Sequence, residues 1–311
     1  MKILIVASYN QDRFAPFIVE QVEALKRVGC EIVFFGVKGK RMKGYLKNLS
    51  ALKKAIMSFQ PNVIHAHYGL SGLLANLQRE VPVVTTYHGS DINDKTVFPF
   101  SRIAMRLSAW NIFVSQKTML KVGTRKNCTV LACGIDLCNM QMTEKSEARR
   151  LMGLEAGKVY VLFAGAFDNP VKNAALAKET VGLLHDSRME LMELKSYSRE
   201  QVNWLMCAAD AFLLTSFSEG SPQVIKEAMA CGCPIVSVDV GDVKERIEGL
   251  EGCFVSTMHN AQELAILLQK ALSFEGRTKG REKLMVDGLD NNVVAQQLVG
   301  IYKKVVSGEN R

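Results

Sequence analysis

A chain of 311 residues, 48% hydrophobic and 23% charged, is long for one core and suits two soluble domains. The net charge of +8 is unevenly placed: residues 1–143 hold 19 Lys and Arg against 8 Asp and Glu, and residues 144–311 hold 20 against 23. The apolar run Ile3–Ala7 is too short for a signal peptide or a membrane span and no later run is long enough, so a cytoplasmic location is expected.

In chain order, "KILIVAS", "EIVFFGV", "NVIHAHY", "PVVTTYH" and "NIFVSQ" are five strand-like runs separated by helical patterns, which predicts a parallel, doubly wound sheet. Between the second and third lies "KGKRMKGYLKNLSALKK", in which Lys38, Lys40, Arg41, Lys43, Lys47, Lys53 and Lys54 occur with no acid. Tyr45, Leu49, Leu52, Ile56 and Phe59 recur at helical spacing, so the segment reads as a basic amphipathic helix. Two readings stand for it: a core-packed helix with a solvated outer face, or a contact to anionic lipid through Lys38–Lys54. No nucleic-acid motif accompanies the charge, so no nucleic-acid partner is expected.

Residues 136–158 are polar and irregular and read as a linker. A second set of strands follows: "VYVLFAG", "MELMEL", "DAFLLTS", "CPIVSVDV" and "GCFVS". The expected architecture is α/β, with two Rossmann-like domains and the cleft between them as the site. The tail, "NNVVAQQLVGIYKKVVSG", is an amphipathic helix with no strand after it. The eight cysteines include no Cys-x-x-Cys pair, so neither a metal site nor a disulfide is expected.

The chemistry concentrates in "TSFSEGSPQVIKEAMACG", where a strand ends in a turn and Pro222 opens a helix that Gly232 stops. Helix-opening amides favour an anion such as phosphate, and Gly220 admits a close backbone approach. Glu219 stands before the helix and Glu227 about 8 Å along it, so the two carboxylates either reach different parts of one ligand, or serve only as dipole partner and solvated surface. "FAGAFDNPVKN" is a second strand-end turn, with Lys172 at a helix start where it could neutralise a diphosphate. No G-x-G-x-x-G follows the first strand and no G-x-x-x-x-G-K-[ST] occurs, which disfavours nicotinamide, flavin and P-loop enzymes.

The run "SFSEGSPQVIKEAMACGCPIVSVDVGDVKERI" resembles the signature of the retaining glycosyltransferases of family 4, and "PNVIHAHYGLSG", "VPVVTTYHGSDIN", "VLACGIDL" and "VLFAGAFDNPVKN" resemble other parts of that family in the same order. The resemblance implies a GT-B fold of two facing Rossmann-like domains. It places an acceptor domain at residues 1–140, with the helix 292–311 packed back on it, and a donor domain at 141–291. It further implies a nucleotide-diphosphate sugar as donor, held by Gly165, Lys172, Ser216, Glu219, Gln223 and the amides of Gly220 and Ser221. Glu227 would take the ribose hydroxyls, and Lys195, Ser196 and Tyr197 would flank the base. His88 is similar in position to a family histidine that touches the donor sugar, and Gly89, Ser90 and Asp91 would face a glycan or lipid-linked acceptor.

The implied catalysis is a metal-independent, front-face retaining transfer in surface polysaccharide assembly, with His88, Glu219 and Lys172 as its principal side chains. Departures from the family are Ala166, where an arginine is common, and "SYNQDRFAPF", which lacks a glycine-rich loop. Two alternatives therefore remain: another GT-B enzyme such as a nucleotide-sugar epimerase, or a binding protein without turnover.

Overall fold

The computed structural model describes residues 1–123 and 127–308. Their contacts divide the chain into two compact units: Met1–Gly134 with the stretch from Asn291 onward, and Ile135–Asp290.

The first unit is built on a parallel six-stranded sheet: β1 (Lys2–Ser8), β2 (Glu31–Val37), β3 (Val63–His67), β4 (Val83–Tyr87), β5 (Trp110–Phe113) and β6 (Cys128–Val130), ordered β2-β1-β3-β4-β5-β6. Both faces of such a sheet are covered, so its inner strands read as unbroken apolar runs rather than alternations. Ile3, Ile5 and Ala7 pack toward the helix Pro16–Arg27 and the closing helix Asn291–Ser307, while Leu4 and Val6 pack toward Leu52, Ile56 and Leu74 on the other face. The sequence marked five strands here. The sixth escaped because it is three half-buried residues at the sheet edge. Residues 309–311 of the expected tail helix lie outside the described residues.

The basic segment is not one helix. Arg41–Leu46 and Leu49–Phe59 are separate helices, broken at Asn48, whose side-chain amide donates to the carbonyls of Lys38, Gly44 and Tyr45. Tyr45, Leu52 and Ile56 still face inward, so the apolar periodicity survives the break.

The second unit has five parallel strands: β7 (Val159–Phe163), β8 (Met189–Glu193), β9 (Ala211–Leu214), β10 (Ile235–Val238) and β11 (Cys253–Ser256), ordered β11-β10-β9-β7-β8. Residues 136–158 are not a linker but part of this unit. Leu137, Met140 and Ala148 are buried, and the helix Lys145–Met152 brings Lys145 and Arg149 to the carboxylate of Asp210, with Arg149 Nη2 2.7 Å from Oδ2. Asp210 also accepts the Tyr160 amide at 2.6 Å, so a segment polar by composition is anchored by these charged contacts together with its few buried apolar side chains.

In each sheet the strand order reverses direction once, between β1 and β3 and between β7 and β9. Ligands in open α/β sheets bind outside the carboxyl ends of strands at such points. The turns that follow β7 and β9 are therefore where a ligand of the second unit is to be looked for.

Candidate active site

After β7, Gly165 has φ +155°, and a Cβ there would come within 3.1 Å of the Lys172 stem, so the glycine lets that side chain lie across the backbone. Asn169 caps the short 3-10 turn Pro170–Lys172 by accepting the Val171 amide at 3.1 Å. The β9 turn is stitched to this one: Thr215 Oγ1 donates to the carbonyls of Lys172 and Asn173, and the Phe217 amide donates to Val171 O at 2.9 Å.

The stitching fixes one pair. Lys172 Nζ lies 2.7 Å from Glu219 Oε1, with side chains only 18% and 16% exposed. Gly241, at φ +56°, brings its own turn so close that a Cβ would sit 2.6 Å from Gly220 O, and Ser221 Oγ donates to Asp242 Oδ2 at 2.8 Å. The helix Gln223–Ala230 follows from Pro222 with no side chain capping it, and Ile225 N donates to Pro222 O at 3.2 Å. Ser216 keeps a buried hydroxyl with no hydrogen-bond partner among the described residues. Gln223 accepts from the buried Lys226 at 2.7 Å.

Glu227 lies inside this helix, 4% exposed, and pairs with Arg199 Nη1 at 2.5 Å through Oε1. Sequence reasoning missed Arg199. The available signal was its position: it opens the helix Arg199–Ala208, where the dipole disfavours a cation by about 0.3–1 kcal/mol, so a nearby anion is the natural reason for it. Lys195, Ser196 and Tyr197 form the exposed loop before that helix, tied to the β7 turn by Leu194 N to Gly165 O at 2.9 Å and by Lys195 to Asp168 at 2.6 Å. Ser196 adopts φ +65°.

His88 and its neighbours belong to the first unit. Asp91, expected to face an acceptor, is instead 3% exposed and occupied: Oδ1 accepts the amides of His88 and Gly89 at 3.0 Å each, and Oδ2 accepts that of Gly69 at 2.9 Å. Burial pushes its carboxyl up to about 6 against the opposing pull of these donors. Its role here is to hold the turn, in which Gly89 takes φ +100° and Ser90 is exposed. The His88 ring stacks on that of His67, whose Nδ1 is 3.1 Å from His88 Nε2, and meets Phe17 and Tyr68 at ring-centroid distances of 5.0 and 4.5 Å.

Two units, built on parallel Rossmann-like sheets of six and five strands, have the architecture of the GT-B fold. The family model described as Glycosyltransferase Family 4 matches residues 6–138, and that described as Glycosyl transferases group 1 matches residues 153–273. Together these two glycosyltransferase domain models take in most of the chain, which has the GT-B fold.

Among curated relatives, the chain is 28% identical over 214 residues to a putative teichuronic acid biosynthesis glycosyltransferase, TuaC, of Bacillus subtilis, covering 59% of this chain and 54% of the relative. It is 23% identical over 259 residues to the amylovoran biosynthesis glycosyltransferase AmsK of Erwinia amylovora, covering 68% and 61%. The matches thus span less than two thirds of these relatives' length. Among solved structures, sucrose-phosphate synthase of Thermosynechococcus elongatus superposes with a TM-score of 0.82 at 17% identity, covering 99% of this chain and 100% of the other. HepE of Anabaena in complex with UDP superposes at 0.73 and 18%, covering 98% and 100%.

Proposed function

We propose that the protein is a retaining glycosyltransferase that moves a sugar from a nucleoside-diphosphate sugar to a glycan or glycolipid acceptor during surface polysaccharide assembly. The observation that carries this is the Lys172–Glu219 pair beside the uncapped helix start, with Glu227 about one turn further along. As the glycosidic bond to phosphate breaks, the leaving diphosphate gains charge, which Lys172 and the amides of Gly220 and Ser221 are placed to stabilise. Glu219 serves the donor sugar and Glu227 the ribose diol. His88 is assigned the donor-sugar contact of the first unit, and Gly89 and Ser90 the acceptor side. The transfer is metal-independent in this reading, because protein cations and amides take the diphosphate charge.

Structures of HepE with UDP and with UDP-glucose make UDP-sugars the first donors to test, with GDP- and ADP-sugars beside them. Acceptor-dependent release of the nucleoside diphosphate, undiminished by a chelator, with the anomeric configuration of the donor kept in the product, is the expected result. Epimerised sugar-nucleotide without acceptor, binding without release, or an inverted product overturns the proposal.

The same reading places the enzyme at an anionic membrane. Lys40, Arg41, Lys43, Lys47, Lys53 and Lys54 are all exposed, with Leu46 and Met57 exposed among them, and no described helix is long and apolar enough to cross a bilayer. Each basic residue near such a surface contributes about 1 kcal/mol, screened beyond roughly 8–10 Å at physiological salt. Binding to phosphatidylserine vesicles should therefore fall steeply as salt is added. Equal binding to neutral vesicles, or none to either, rejects the contact.

A further inference from the structure

We infer that Arg199 is a positioning residue for the nucleotide's ribose, acting through Glu227 rather than by touching the ligand; this rests on the ribose role proposed for Glu227. A carboxylate with 4% exposure is costly unless a cation and hydrogen bonds compensate it, and Arg199, 2.5 Å from Oε1, supplies both. Oε2 takes no hydrogen bond from the described residues. Each carboxylate oxygen has two lone pairs, so Oε1 can accept from Arg199 on one side and from a hydroxyl on the other, while Oε2 takes the second hydroxyl of a cis-diol.

The arginine is held for this task. Ser198 and Gln201 form a reciprocal capping box that sets where its helix begins. Further along, Cys231 Sγ approaches Asn203 Oδ1 at 3.1 Å, tying that helix to the end of the one that carries Glu227. The guanidinium therefore approaches Glu227 from a fixed direction, and it does so from a position the helix dipole disfavours, which a purely local stability role does not explain. With 40% of its side chain exposed, Arg199 can be replaced without opening a core cavity.

The test is a double-mutant cycle read by calorimetry with UDP, GDP and ADP in parallel, each against its 2′-deoxy analogue. For whichever diphosphate binds, Arg199→Ala should weaken it about ten-fold, Arg199→Lys should recover most of that, and Arg199→Ala should add nothing in a Glu227→Gln background. The wild type should prefer the ribose form over the 2′-deoxy form, and Arg199→Ala should lose that preference. An equal loss in both backgrounds means direct contact with the nucleotide and overturns the inference, as does an Arg199→Ala protein that binds normally while Glu227→Gln is impaired. A Glu227→Gln protein that binds normally overturns the ribose assignment itself, a separate and recognisable failure.

Discussion

Lys172→Met is expected to lower kcat/KM about 100- to 1,000-fold, with most of the loss in kcat. Removing one preorganised donor from a site where charge develops costs on the order of 2.7–4 kcal/mol, and an interaction realised only in the transition state lowers kcat and kcat/KM together. Lys172 suits that description because its stem lies over Gly165 and its ammonium is already held 2.7 Å from Glu219, so little reorganisation is needed when the diphosphate leaves. With Ala166 where the family often has arginine, no second cation on that turn shares the charge. Steady-state kinetics with the intact donor measure the effect. A loss under five-fold, or one confined to KM, means that Lys172 does not meet the developing charge.

The strands were legible because parallel sheets bury both faces, which writes them as apolar runs between turns, and the glycine and proline around Glu219 marked the strand-to-helix turn for the same local reasons. What was not legible came from side chains that act across the chain. The break at Asn48 leaves the apolar spacing of Tyr45, Leu52 and Ile56 intact, so periodicity alone fused two helices into one. Residues 136–158 looked like a linker because their buried apolar residues, Leu137, Met140 and Ala148, are few and scattered, and their ionic anchors, Lys145 and Arg149, pair with Asp210 more than sixty positions away.

The same blindness applied to the site. Glu219 and Glu227 were visible as a spacing, but their partners Lys172 and Arg199 lie 47 and 28 residues upstream, and nothing local pairs them. Asp91 shows the converse error. An aspartate in a strand-end turn reads as a ligand, whereas three backbone amides consume it, a use that depends on Gly69 being brought alongside from β3.

The two carboxylates should separate experimentally, because their partners in the donor differ. Glu227→Gln is expected to weaken free nucleoside diphosphate and nucleotide-sugar alike, since the ribose is present in both, and a hydrogen bond to a charged group contributes about 1.5–3 kcal/mol, or roughly ten- to a hundred-fold. Glu219→Gln should leave free nucleoside diphosphate nearly unchanged and show its loss in turnover and in affinity for the intact donor. The ion pairs sharpen the contrast: glutamine at 219 frees Lys172 from its carboxylate, which if anything favours a bare diphosphate, while glutamine at 227 leaves Arg199 facing a neutral amide on the ribose side. Calorimetry with the diphosphate, beside kinetics with the sugar-nucleotide, reads both. Identical losses in the two variants, or no loss in either, would show that the pair does not divide the donor between sugar and ribose.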